Sequence, residues 1–234
     1  MIPLRDNIPS SKIPFINYFL IAVNTVVFLF ELKLSAIMLD TGHTVLEGFI
    51  YKFGAVPLRL FSDFFSQFYT VFTSMFIHGG WTHFIGNMLY LYIFGDNVED
   101  SYGHLKYLFV YVACGVVAAL LQSALAFGSN LPMVGASGAI AGVLGSYVLL
   151  YPRARVDTLI FFGFFVRIIQ IPALLYLGFW FIIQTLSGTM SLAATTVTGR
   201  DIGGVAFWAH IGGFIAGAIF VFLLIKRRRA RRFF

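Results

Sequence analysis

Charge is scarce in this sequence: Asp, Glu, Lys and Arg make up 11% of its 234 residues, against 59% hydrophobic ones. A soluble domain carries about 25% charged and about 45–50% apolar residues. So few charges cannot cover a water-facing surface, which excludes a soluble globular protein and a disordered one. Cysteine is nearly absent, and the single Cys114 excludes a disulfide framework and a cysteine zinc cluster. No Gly-x-Ser-x-Gly occurs around its serines, which excludes an α/β-hydrolase elbow. His-Glu-x-x-His is missing too, which argues against an intramembrane zinc protease. Neither internal repeats nor strand-like alternation is evident.

What the sequence has instead is long apolar runs. Crossing a bilayer core of about 30 Å takes roughly 20 residues at about 1.5 Å each. Runs of that kind lie near 13–32, 71–95, 107–127, 134–151, 158–186 and 205–225. The fifth is too long for one upright span. Arg167 and Pro172 divide it, so 158–171 reads as interfacial or re-entrant and 172–187 as the span; one long tilted helix is the alternative. The expectation is an all-α polytopic bundle of six helices: a cytoplasmic segment 1–12, a membrane domain 13–225 with an outer loop 33–70, and a basic tail 226–234. The first apolar run exceeds the about 7–15 residues of a signal peptide, so it is expected to stay.

Lys and Arg set the orientation. With the N-terminus inside, the inner segments hold 11 of them and the outer segments 4, Arg167 standing aside. Both termini are therefore expected in the cytoplasm. The tail Lys226–Arg232 reads as an anchor for anionic headgroups rather than a nucleic-acid patch, because it abuts a span. The loop 33–70 mixes Leu46, Phe49, Ile50 and Phe53 with a few charges and is expected to lie on the outer leaflet. The short termini and the lack of an organelle-targeting segment favour a bacterial cytoplasmic membrane.

Polar side chains inside a membrane are functional candidates. Here they are His78, His83, Asn87, Gln122, Ser137, Arg167, Gln184 and His210. Ser137, His210 and His83 each precede an inner-boundary charge, Arg153, Lys226 and Glu99, by 16 residues. All three thus sit about 24 Å above the inner boundary, on helices of one direction. Asn87 lies one turn below His83 on the same face. Gly138, Ala141, Gly142 and Gly145 form a small-residue face about 90° ahead of Ser137; Ala209, Gly213, Ala216 and Gly217 form one about 75° behind His210. Small faces let membrane helices pack closely. Helices meeting through these two would turn Ser137 and His210 toward one groove, with Phe220 on the lipid side.

A serine beside a histidine is a nucleophile with its base. No Asp or Glu is placed to orient His210, which makes the pair a dyad. The backbone N–H of Ser137 and the side chains of Asn87 and His83 are candidate oxyanion donors. His78 reads as structural, and Gln122 and Gln184 as interhelical hydrogen-bond donors. Alone, Ser137 would read as bonding back to its own helix; shared depth and rotation favour chemistry. A transporter would need polar groups along a whole pathway, whereas these cluster at one depth.

At these residues the sequence resembles the rhomboid intramembrane serine proteases. The likeness rests on His78-Gly79-Gly80-Trp81-Thr82-His83-Phe84-Ile85-Gly86-Asn87, Gly135-Ala136-Ser137-Gly138 and Ala209-His210-Ile211-Gly212-Gly213, in that order, with Gly95-Asp96-Asn97-Val98-Glu99-Asp100 as a cytoplasmic turn. The resemblance implies a six-helix core, hydrolysis of peptide bonds in or beside substrate transmembrane helices, and no cofactor or metal. It makes Ser137 the nucleophile, His210 the base, and Asn87 and His83 oxyanion donors supported by Gly135. The implied partners are a single-span membrane-protein substrate and the bilayer, not nucleic acid, with the site open to the extracytoplasmic side. A catalytically silent client-binding relative is the competing reading. Two family features are missing: Ser66-Gln67-Phe68-Tyr69-Thr70 stands where many members have a Trp-Arg pair, and Ala141 stands where some stack an aromatic under the histidine.

Overall fold

The computed structural model describes residues 1–39, 42–162, 165–198 and 205–225. The basic tail 226–234 and Arg200, which carry part of the charge bias, lie outside the described residues. The chain opens with β1 (Ile2–Asp6) and α1 (Phe15–Ser35). Short pieces follow: α2 (Val45–Phe53), α3 (Pro57–Ser62), α4 (Phe64–Gln67), α5 (Tyr69–Thr73) and a 3₁₀ turn (Ser74–Phe76). Then come α6 (Trp81–Tyr102), α7 (His104–Leu125) and α8 (Ser137–Leu150). A hairpin of β2 (Arg155–Phe162) and β3 (Phe165–Pro172) leads into α9 (Ala173–Thr198) and α10 (Phe207–Leu224).

Among the described residues, four helices are long and apolar enough to cross a membrane: α1, α7, α9 through Thr195, and α10. α8 is shorter, 14 residues, or about 21 Å. Every α8 residue after Ser137 except Leu149 is buried, so this helix is the axis of the bundle. Its glycines explain how. A Cβ added at Gly213 would overlap the carbonyl oxygen of Gly138, and one at Gly217 the carbonyl oxygen of Gly142. The two helices thus run backbone to backbone in a parallel register through the small faces read from the sequence. Ser146 Oγ donates to the carbonyl of Gly217 at 2.9 Å and fixes the same contact. Phe220 does not face lipid as expected; it packs on the core and meets Phe109 edge-on at 5.7 Å. Phe222, 78% exposed, faces outward.

The expected span at 71–95 starts too early. Residues 69–76 are α5 and the 3₁₀ turn, and α6 begins only at Trp81. Gly80 takes φ +151°, which L side chains rarely adopt, and this breaks the helix before it can run upstream. At its other end α6 supplies the cap that α1 lacks. Pro14 offers no side-chain bond, and Glu99 accepts the backbone N–H groups of Ile16 and Asn17 at 3.0 and 2.7 Å. A carboxylate there also meets the positive end of the helix dipole.

The all-α expectation needs correction. β1, β2 and β3 form an antiparallel sheet, and 158–171 is not part of a helix: its described residues pair as a hairpin, with Thr158 opposite Ile169 and Ile160 opposite Arg167. β1 falls in the segment 1–12 and pairs with β2 through Ile2 and Leu159. The pattern hid the strands because β3 is exposed at every residue from Phe165 to Gln170, so no one-sided alternation was required. Asp6, at the end of β1, accepts hydrogen bonds from Tyr147 Oη and Asn97 Nδ2 and so ties the sheet to α8 and α6.

Candidate active site

Ser137 is the first residue of α8. The turn before it depends on Gly135, which has φ +122°. A Cβ there would lie 2.6 Å from the His83 ring, so only glycine lets that ring stand beside the serine. Gly135 N–H donates to the carbonyl of Ser74 at 2.8 Å, which binds the turn to the segment entering α6.

Across from Ser137, the first turn of α10 carries His210. Its Nε2 lies 2.8 Å from Ser137 Oγ. Its Nδ1 lies 2.7 Å from Gln184 Oε1 on α9. The ring also leans on Trp180, centroids 5.8 Å apart and planes at 37°. Gln184 and Trp180 therefore hold the His210 ring, for which Ala141 offers only a methyl group. Gln122, expected as a donor, accepts instead: its Oε1 takes the N–H groups of Trp208 and Ala209 at 3.1 and 3.2 Å, capping an α10 that has no side-chain cap of its own.

Ser137 and His210 open on a chamber of about 690 Å³ that His83, Asn87, Tyr90 and Trp180 also line. Asn87 is 7% exposed, and its Nδ2 has no hydrogen-bond partner. His78 lies behind His83, edge to face at 5.3 Å. The backbone N–H of His78 reaches both carboxylate oxygens of Glu31 at 3.0 Å. Glu31 is 1% exposed and belongs to the apolar run 13–32, yet sequence reading passed over it. The rule that picked out His78 would also have found Glu31, since a carboxylate inside a span calls for a partner. Arg167, in contrast, is exposed on β3 outside the chamber. Among the described residues, no three His, Cys, Asp or Glu side chains gather as a metal would need.

Residues 66–227 match the Rhomboid domain. The chain belongs to the rhomboid family. This rhomboid is 30% identical over 207 residues to Rhomboid protease GluP of Bacillus subtilis, covering 88% of the chain and 34% of that protein. It is 28% identical over 194 residues to Rhomboid-like protein 11, chloroplastic, of Arabidopsis thaliana, covering 81% and 64%. Rhomboid protein 1, mitochondrial, of Saccharomyces cerevisiae is 24% identical over 191 residues, covering 78% and 50%. The chain thus spans between a third and two thirds of the length of these relatives. This rhomboid's long apolar helices fit a polytopic membrane protein of that family.

Proposed function

We propose that this rhomboid is an intramembrane serine endopeptidase, with Ser137 as nucleophile and His210 as base. One observation carries the reading: His210 Nε2 stands 2.8 Å from Ser137 Oγ on the wall of the chamber. That is within the about 2.6–3.2 Å over which a base can take the hydroxyl proton.

In this mechanism Ser137 Oγ attacks the scissile carbonyl carbon as its proton moves to His210 Nε2. The carbonyl oxygen becomes an oxyanion. Three donors are in reach of the chamber to receive it: the Ser137 N–H at the start of α8, His83, and the idle amide of Asn87. Gly135 supports them by admitting the His83 ring. The C–N bond breaks as the imidazolium returns its proton to the leaving amine, and an acyl-serine remains. Water then gives its proton to Nε2 and attacks the ester. The C–Oγ bond then breaks as Nε2 returns its proton to Oγ, which releases the carboxylic acid and restores Ser137 and neutral His210. The cycle needs no cofactor.

We place the six helices α1 and α6–α10 across the membrane, as a domain 13–225 with both termini inside. The outer loop 33–70 and the chamber then face the extracytoplasmic side, and 226–234 is a basic tail at the inner surface. The charge bias supports this orientation. The substrate class is a single-span membrane protein with a helix that unwinds near the outer face, since attack needs an extended chain. The test is incubation of the purified protein in proteoliposomes with such a substrate, beside Ser137→Ala. The expected result is cleavage by the wild type alone. Binding without cleavage would point to a silent client-binding protein, and equal cutting by Ser137→Ala would end the assignment.

A further inference from the structure

We propose that Gln184 is a positioning residue that sets the tautomer of His210, so that the site works as a serine–histidine–glutamine triad. The proposal rests on reading Ser137 and His210 as nucleophile and base, but its own observation is separate. Both ring nitrogens of His210 are engaged: Nε2 by Ser137 Oγ at 2.8 Å and Nδ1 by Gln184 Oε1 at 2.7 Å. A neutral imidazole has one N–H and one lone pair, and the bond made by one nitrogen fixes the role of the other. An amide oxygen only accepts. Nδ1 therefore donates, and the lone pair sits on Nε2, facing the hydroxyl whose proton must leave. With the amide turned over, Nδ1 would accept from the NH₂ group and Nε2–H would donate to Oγ. The serine would then face a nitrogen unable to take its proton.

The geometry that delivers Gln184 is simple. Trp180 and Gln184 are four residues apart on α9 and share one face. The indole leans on the imidazole while the amide holds its edge, so α9 restrains the ring in two directions. Ala141, one turn after Ser137, offers only a methyl group. A neutral acceptor also avoids a buried carboxylate at membrane depth, which is costly without a partner. The trade is a smaller stabilisation of the imidazolium that forms during attack.

Among the described residues, the other titratable groups around His210 are few. His83 of α6 faces it across the chamber, beside Tyr90, which bonds to Tyr176 of α9 at 2.7 Å. Cys114 of α7 lies deeper, against Gly142. α8 brings Ser137 and no charged group to this depth.

Cleavage of a single-span substrate by the wild type, Gln184→Leu, Gln184→Glu and Ser137→Ala in proteoliposomes, from pH 5 to 9, tests the proposal. Gln184→Leu is expected to lower kcat by about 10–100-fold, taking as a guide the loss when a metal-bound histidine loses its outer hydrogen-bond partner, with KM within about twofold. Gln184→Glu keeps the acceptor and is expected to restore the rate at high pH. Its acid limb should move up by about 1–3 pH units, because a carboxylate beside the ring favours the imidazolium and the base must be neutral to act. A packing role would leave the limb in place. Gln184→Leu cutting at the wild-type rate overturns the proposal, as does Gln184→Glu matching Leu with an unmoved limb. Nitrogen-15 spectra of His210 give a readout independent of turnover: the proton is expected on Nδ1, and finding it on Nε2 overturns the proposal. Cleavage that survives Ser137→Ala overturns the parent reading instead, and the control tells the two failures apart.

Discussion

A buried amide with no partner costs about 1–3 kcal/mol, and Asn87 holds its Nδ2 in that condition beside Ser137. An oxyanion forming in the chamber would use that donor only during reaction. Asn87→Ala should therefore lower kcat by about 10²-fold or less, as for one oxyanion donor among several, while thermal unfolding stays near the wild type. Full activity in this variant would remove Asn87 from the site. Ser137→Ala and His210→Ala should each lower turnover by orders of magnitude, and the double variant should add little, because coupled groups are not additive. Multiplying losses in the same kinetics would contradict the pair. At this scale the sequence was informative where depth and rotation could be counted along one helix, as for Ser137, His210, His83 and Asn87. It read Gln184 as an interhelical donor without finding its partner His210, because nothing local says which way α9 turns, and it gave Gln122 the wrong polarity, because the N–H groups it caps are 86 and 87 residues away.

Among the elements, α8 and α10 were legible because glycine and alanine recur along one face of each, and those faces meet. Gly213→Leu should push the helices apart and cost about 10²-fold in rate, since a displacement of about 1 Å can do so. Circular dichroism should still report the helices, and Phe222→Leu on the exposed side should cut normally. Wild-type cleavage by Gly142→Leu and Gly213→Leu would mean the contact is not needed. The hairpin was not legible, because β3 carries apolar residues on both faces and is exposed on both. Its sheet brings a pH dependence. Burial raises the Asp6 carboxyl to about 6, although Tyr147 donates to it. A group raised in the folded state gives stability that is present below its unfolded value, about 3.9, and lost as pH rises through about 6. The thermal midpoint should fall between pH 4 and 7, and Asp6→Asn should flatten that part of the curve. Parallel curves for the two proteins would contradict this account of the β1 contact.

For the whole molecule, apolar excess and sparse charge fixed the class at once, and the count of Lys and Arg argued an orientation. That orientation has its own test. In a Cys114→Ser background, Lys52→Cys and Arg153→Cys both place the thiol at exposed positions, in the outer loop and before the hairpin. An impermeant maleimide should label Lys52→Cys on intact cells and Arg153→Cys only after permeabilisation; the reverse pattern would invert the topology. The central claim, that His210 activates Ser137 as a nucleophile, is met most directly by peptide mapping after treating the membrane-embedded protein with a fluorophosphonate. The account predicts one adduct, on Ser137, lost in His210→Ala. An adduct on another serine, or none on Ser137 in a protein that still cuts, would contradict it.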